Sequence, residues 1–352
     1  MAEMEPAPGQ VVLFGSGETA PSGRRVYEWL LKLIVPPVRL AILETPAGFQ
    51  PNTAVVAGKV ADYLRVHLAN YRLQVDVVPA RRKGSEFSPD DPSLIEPLLR
   101  ACAIFLGPGS PTYAARQLEN SLAWRYLQAR HRLGGAVILA SAATAAASAY
   151  TIPVYEIYKA GLDLHWAQGL DFFAPYGLRL VLVPHWNNCE GGAELDTSRC
   201  FMGRERFARL RELLPEPATI VGIDEHTALI VDLAAGRCLV FGRGGVTILR
   251  QGEELCFGSG RRLPLDYLGD FHPDPTDDLP AAVWDAARAP QLAAPAVESG
   301  PPDAVLRLVA ERETARGRRD WPAADRLRQA IADSGWQVAD SREGPVVSRL
   351  PV

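Results

Sequence analysis

The sequence lacks the features that would place it in several large classes. None of its apolar runs reaches the ~18 residues that a membrane span requires, so no membrane partner is expected. It opens Met-Ala-Glu-Met-Glu-Pro, without the basic and apolar regions of a secretory signal, which leads to the expectation of a cytoplasmic protein. The five cysteines are scattered, odd in number and form no Cys-x-x-Cys pair, which fits reduced thiols better than a disulfide framework or a zinc site. His165, His185, His226, Glu190 and Asp196 could each ligate a metal, but no His-x-x-x-His or His-Glu-x-x-His spacing joins them. No metal and no cofactor are therefore expected. A formal net charge of -4 argues against general nucleic-acid binding. The turn Gly15-Ser16-Gly17-Glu18 has neither the Lys-Ser/Thr of a phosphate loop nor the third glycine of a dinucleotide fingerprint.

What is present is a globular composition, 47% hydrophobic and 22% charged over 352 residues. In the first half, short apolar runs alternate with amphipathic stretches. Strands are expected at 11–14, 39–43, 72–78, 103–106 and 136–139, with helices at 24–35, 53–69, 93–101 and 113–132 between them. That alternation implies a mostly parallel sheet covered on both faces, and such sheets gather their sites beyond the carboxyl ends of the strands. The loops 15–18, 107–112 and 140–144 lie at those ends. The second half reads as a strand run with hairpins through residue 249, and Asp266 to Gly269 closes a domain of residues 1–270. Residues 271–302 hold seven prolines and many alanines, which predicts a semi-extended linker. In residues 303–352, Asp320 is placed to cap a helix that Gly335 ends, giving a small helical hairpin with short strands after it.

Ser141 stands where an apolar strand meets a run of small residues, Ala142-Ala143-Thr144-Ala145-Ala146. A serine at such a junction can be held in a strained turn with its hydroxyl exposed. The usual nucleophile pattern Gly-x-Ser-x-Gly is not met, because Leu139 and Ala143 occupy both glycine positions. Spacing alone favours reading Ser141 as a small residue where a helix packs close to a sheet. His185 directly follows a strand and precedes the polar loop Trp186-Asn187-Asn188-Cys189-Glu190-Gly191-Gly192. A serine nucleophile needs a base, and the base needs an acid to fix its tautomer. Glu156, Asp171, Asp224 and Glu225 are candidates by chain position.

Several of these motifs, in order, resemble the cyanophycinase and dipeptidase E family of serine peptidases, over residues 10–269. Gly134 to Ala146 resembles its nucleophile segment, Gly15-Ser16-Gly17-Glu18 its first glycine turn, Thr45-Pro46-Ala47 its second loop, and Gly107-Pro108-Gly109-Ser110 its oxyanion loop. Pro184-His185-Trp186 is similar to its histidine segment, and Gly222-Ile223-Asp224-Glu225-His226-Thr227-Ala228-Leu229 to its Gly-Ile-Asp-Glu-x-Thr-Ala signature. The resemblance implies a class I glutamine amidotransferase-like fold, an α/β three-layer sandwich with a mostly parallel sheet. It implies Ser141 as nucleophile, His185 as base, and Glu156 or Glu225 as the acid. Gly109, Ser110, Ala142, Gly17, Glu18, Asn187 and Asn188 would line the oxyanion and substrate site of a hydrolase for a small peptide or amide. The missing elbow glycines and Pro108, which removes a backbone donor, set a non-catalytic binding protein as the alternative.

Residues 305–349 resemble the C-terminal region of cysteinyl-tRNA synthetases, through Asp320-Trp321-Pro322-Ala323-Ala324-Asp325-Arg326-Leu327-Arg328 and Asp340-Ser341-Arg342-Glu343-Gly344. The synthetase's HIGH and KMSKS motifs are absent from the chain, so aminoacylation is not expected. Residues 303–352 hold nine arginines, no lysine and eight acids, a net charge of +1. The expectation is a weak tRNA contact through this tail, or else a packing module that supports a homodimer.

Overall fold

The computed structural model describes residues 7–292, 303–318, 320–341 and 344–349. They form two compact units, divided between Gln291 and Leu292.

The first unit is built on an eight-stranded sheet. Its parallel part comprises β1 (Val11–Phe14), β2 (Arg39–Leu43), β3 (Gln74–Val78), β4 (Ala103–Leu106) and β5 (Ala136–Ala140), in the spatial order β1-β5-β4-β2-β3. These strands are short and apolar because both of their faces are covered. Leu13, Leu43, Leu106 and Leu139 point into one core, and Phe14, Ile42, Phe105 and Ile138 into the other. Helices α1 (Pro21–Leu31) and α2 (Thr53–His67) bury Val26, Tyr27, Leu30, Val60 and Leu64 against the second core.

The short helices α3 (Pro92–Ile95) and α4 (Pro97–Arg100) precede β4. The single helix expected over 113–132 is two, α5 (Pro111–Leu118) and α6 (Leu122–Arg132). Asn120 takes a left-handed conformation between them, and Ser121 starts the new helix by accepting from the Trp124 amide at 3.2 Å. The small helix α7 (Ala142–Ala146) follows β5 directly. It leads to a two-stranded pair, β6 (Tyr150–Thr151) with β7 (Ala167–Gln168).

The second half divides its strands between two sheets, which periodicity could not foretell. β8 (Leu180–Val183), β9 (Thr219–Ile223), β12 (Gly245–Arg250) and β13 (Glu253–Gly258) form a separate four-stranded sheet. β10 (Thr227–Asp232), β11 (Arg237–Gly242) and β14 (Arg262–Pro264) extend the large sheet, with β10 antiparallel to β1. The small sheet packs Leu182, Val221, Ile223 and Val246 into the core that holds Leu139. Its other face meets Phe207 and Leu210 of helix α8 (Gly203–Glu212). The result is a three-layer α/β arrangement in which one outer layer includes a sheet.

The proline-rich stretch is not a free linker through residue 291. Thr276 donates to the Pro175 carbonyl at 2.8 Å, and Leu279, Val283 and Ala287 enter the main core. Helix α9 (Ala281–Leu292) presents the Ala287 carbonyl to Arg130, and Arg132 pairs with Asp277. Apolar spacing within the alanine-rich segment outweighs its prolines. Residues 293–302 of the expected linker lie outside the described residues.

The second unit pairs α10 (Asp303–Gly317) with α11 (Trp321–Asp333), followed by a hairpin of β15 (Trp336–Ser341) and β16 (Gly344–Arg349). Val305, Val309, Ile331 and Val338 form its own small core. Asp320 caps α11 by accepting from the Ala323 amide at 3.1 Å. Arg319, Arg342 and Glu343 of the expected tail pattern lie outside the described residues. No helix among the described residues is long and apolar enough to cross a membrane.

Candidate active site

β1 and β5 run parallel and in register, Phe14 opposite Ala140, so the loops after them leave one edge of the sheet side by side. β10 enters at the same edge, Ala228 opposite Phe14, which brings residues 224–226 there as well. The edge thus collects the glycine turn, Ser141 and the Asp224–His226 turn.

Ser141 adopts φ 51°, ψ -110°, a conformation that L-residues rarely take. Strain of this kind costs about 1–3 kcal/mol and persists only where the surroundings over-determine it. Here the Ser141 amide donates to the Phe14 carbonyl at 3.2 Å. The Thr144 hydroxyl, fully buried, lies 2.9 Å from the carbonyl oxygens of both Phe14 and Leu139. Neither missing glycine prevents the turn. The Leu139 side chain belongs to β5 and points into the core, and Ala143 is small enough for α7 to start against the sheet.

The Ser141 Oγ lies 2.8 Å from His185 Nε2, and His185 Nδ1 lies 2.8 Å from Glu225 Oε1. With an ionised Glu225, Nδ1 carries the proton and Nε2 is left to accept from the serine hydroxyl. The hydrogen bond from His185 holds the Glu225 carboxyl below the usual carboxylate range, against the opposing effect of burial. His185 is also left-handed (φ 51°), and its amide donates to the Gly15 carbonyl at 3.3 Å. About a fifth of its side chain (19%) remains exposed, so the imidazole is reached by solvent.

The expected residues fall into different places around this chain of contacts. Glu225 meets His185, whereas Glu156 does not. Glu156 accepts from the Thr112 hydroxyl at 2.6 Å, and Thr112 lies 3.0 Å from the Ser110 hydroxyl. Ser110 caps α5 by accepting from the Tyr113 amide at 3.2 Å, so its hydroxyl is committed to the helix rather than to a substrate. Asn187 and Asn188, expected at the substrate, both contact Glu225. Asn187 Oδ1 accepts from the Glu225 amide at 2.8 Å, and the buried Asn188 side chain donates to Glu225 Oε1 at 2.9 Å. Gly109 has no room for a side chain, since a Cβ there would lie 1.9 Å from the Pro46 carbonyl oxygen. Asp224 accepts from the Gly245 amide at 2.8 Å, and burial raises its carboxyl above the usual range. Asp171, raised by burial as well, sits after β7, where its amide donates to the Ser148 carbonyl at 2.9 Å.

Sequence reasoning passed over the segment behind His185. Arg199, Cys200 and Phe201 are all left-handed, with φ of 58°, 58° and 67°. The Cys200 amide donates to the His185 carbonyl at 3.2 Å, the Arg199 guanidinium lies 3.6 Å from the Trp186 ring, and the Phe201 ring sits 5.9 Å from the imidazole. Asp196 anchors this turn by accepting from Ser198 and from the Arg204 amide at 2.9 Å, which depresses its carboxyl to about 2. No glycine marks the three left-handed positions, so the chain carries no local signal for them.

No known family profile matches the chain. Among solved structures, a peptidase from an acI-B1 actinobacterium superposes with a TM-score of 0.59 at 21% identity, covering 74% of this chain and 98% of that one. At that identity the likeness establishes the fold. A putative peptidase E protein from Listeria monocytogenes covers 72% of this chain at 14% identity and a TM-score of 0.42, too loose a match to argue from. Curated relatives match the C-terminal region instead. The cysteine–tRNA ligase of Rubrobacter xylanophilus is 54% identical over 48 residues, 14% of this chain and 10% of the ligase. That of Chlamydia caviae is 45% identical over 49 residues, with the same coverage. The chain thus spans about a tenth of the length of these relatives.

Proposed function

We propose that this chain is a serine-dependent hydrolase acting on a small peptide or amide. The observation that carries the reading is the unbroken set of contacts from Ser141 Oγ to His185 Nε2 and from His185 Nδ1 to Glu225, built on a strained turn. Ser141 attacks the substrate carbonyl while its proton passes to His185 Nε2. Glu225 stabilises the imidazolium and keeps the ring turned. The negative oxygen that forms is met by the backbone N–H groups of Gly109 and Ala142; the latter opens a helix, where the first amides have no intrahelical acceptor. His185 then returns the proton to the leaving amine, and a water activated by the same imidazole releases the acyl group. The fold shared with an actinobacterial peptidase supports an amide bond as the target.

The test is covalent labelling with a neutral fluorophosphonate. Wild-type protein is expected to label at Ser141, and Ser141→Ala to lose the label. A folded wild-type protein that does not label would retire this reading in favour of a binding protein of the same fold. The five scattered cysteines, odd in number and without a Cys-x-x-Cys pair, support a reducing compartment such as the cytoplasm.

A further inference from the structure

A run of aromatic rings reaches from His185 to the Gly109 loop, and the hydrolytic steps use none of it. At one end the Phe201 ring sits 5.9 Å from the His185 imidazole, and the Tyr158 ring lies 5.4 Å from Phe201. Tyr158 belongs to a single π-helical turn, Tyr155–Lys159, in which the Ala160 amide donates to the Tyr155 carbonyl at 3.0 Å. Tyr155 opens that turn, 6.5 Å from the Phe49 ring, and Phe49 lies 5.2 Å from Tyr113. Tyr113 stands in the first turn of α5, where its amide donates to Ser110. Glu156 of the same π-turn accepts from Thr112, which ties the turn to α5 a second time.

Two of these segments hold backbone shapes that local sequence does not favour. π-Helical turns are rare and occur mostly at functional sites. Phe201 ends the three left-handed residues 199–201, none of them glycine, and such strain clusters at ligand sites. Packing rings into a core requires neither device. Phe49, at the other end, is 46% exposed. One exposed ring is ordinary on a protein surface. This one follows a strand whose neighbours lead to the serine. Leu43 pairs in register with Leu106, and Leu106 with Leu139, so the loops after β2, β4 and β5 start side by side. With strands about 4.8 Å apart, the Phe49 loop starts about 10 Å from the Ser141 turn, a span of the order of a short extended peptide. Cations already attend the rings: Arg116 lies 5.5 Å from Tyr113, Lys159 5.1 Å from Tyr155 and Arg206 5.8 Å from Tyr158. A cationic substrate group would meet like charge there. An apolar one gains by covering part-exposed rings.

We propose that this aromatic run receives an aromatic or large aliphatic side chain next to the bond that Ser141 attacks, so that the substrate is a short apolar peptide or amide. This rests on the hydrolase reading and names the class of substrate. The side chain can lie on the acyl side, toward Phe49, or on the leaving side, toward Tyr158, Phe201 and the imidazole that protonates the amine. The experiment separates the two.

The full chain carrying Ser141→Ala, which stops turnover, is titrated calorimetrically with alanyl-alanine, phenylalanyl-alanine, alanyl-phenylalanine and aspartyl-alanine. All four ligands have the same termini, so differences belong to the side chain. At least one phenylalanyl ligand is expected to bind about tenfold or more tightly than alanyl-alanine. Preference for phenylalanyl-alanine assigns the acyl side; Phe49→Ala should then bring the ratio within about threefold, and Phe49→Leu should keep part of it. Preference for alanyl-phenylalanine assigns the leaving side, and Tyr158→Ala should lower that ratio likewise, with Tyr158→Leu as the milder change. Equal affinities, tightest binding of aspartyl-alanine, a ratio that no substitution moves, or no binding of any ligand would overturn the proposal. So would a loss shared equally by all four, which would make the rings packing alone. Labelled Ser141 with equal ligand affinities sinks this inference alone, whereas absent labelling sinks the hydrolase reading.

Discussion

Glu156 and Glu225 carry the same side chain and differ in what surrounds them. Glu225 Oε1 receives both the His185 Nδ1 and the Asn188 amide, so its charge is oriented toward the base. Glu156 receives a hydroxyl from Thr112 and has its other oxygen buried without a partner. An acid-to-amide change keeps the shape but favours the wrong imidazole tautomer. Glu225→Gln is therefore expected to slow fluorophosphonate labelling on the order of 10³–10⁴-fold. Glu156→Gln, which leaves the Thr112 hydroxyl an acceptor, should stay within about tenfold of wild type. Rates in the opposite order would move the acid's role to Glu156.

At the scale of elements, the site depends on how closely two loops approach. The Gly109 loop is pinned to the 45–47 turn, where the Ser110 amide donates to the Pro46 carbonyl at 3.0 Å. A methyl group at 109 would meet backbone atoms of Pro46 and Ala47, which cannot swing aside as a side chain can. Gly109→Ala must therefore displace the loop. Misplacement of about 1 Å in an oxyanion donor costs on the order of 100-fold in rate. The expected outcome is labelling slowed by about that factor with an unchanged far-UV circular dichroism spectrum. A wild-type labelling rate would remove Gly109 from the oxyanion site.

For the whole molecule, pH acts through His131, which lies in the core between Phe172 and Tyr176 with Nε2 3.0 Å from the Gly9 carbonyl oxygen. Burial lowers its pKa to about 4 from an ordinary 6.5. Between those values the unfolded chain takes up a proton that the folded chain refuses. The stability is therefore complete above pH 6.5 and declines as pH falls toward 4, by up to about 3 kcal/mol. Buried carboxyls such as Glu18 and Asp224 act in the opposite direction, but equally in any His131 variant. Urea unfolding at pH 7.5 and 4.5 should show wild type losing about 2 kcal/mol more than His131→Phe over that interval. Equal losses would refute the assignment. The second unit supplies a separate test. Its net charge of +1 over residues 303–352 allows few phosphate contacts. The full chain is expected to bind tRNA weakly at low salt and to lose it by physiological salt, and a chain ending at Leu292 should not bind. Tight, salt-resistant binding would make the RNA contact a principal function.

Local order in the chain was enough for much of this. The buried strands 11–14, 39–43, 103–106 and 136–139 are short apolar runs, and their alternation with helices implies the parallel sheet and the edge where its loops gather. Ser141 at a strand end and His185 after another were legible for the same reason, as was the Asp320 cap. Tertiary structure decided what separation along the chain conceals. Ser141 and His185, in contact in the fold, are 44 residues apart, and His185 and Glu225 40. Only the pairing of β8 with β9, in a sheet separate from that of β5, brings Glu225 rather than Glu156 to His185. The division of the later strands into two sheets and the docking of residues 271–291 on the main core are of the same kind, because periodicity shows which face is buried but not against what. The turn at Ser141 forms without glycine for a related reason. Hydrogen bonds from Thr144 and to Phe14 impose a strained backbone that no local propensity would favour.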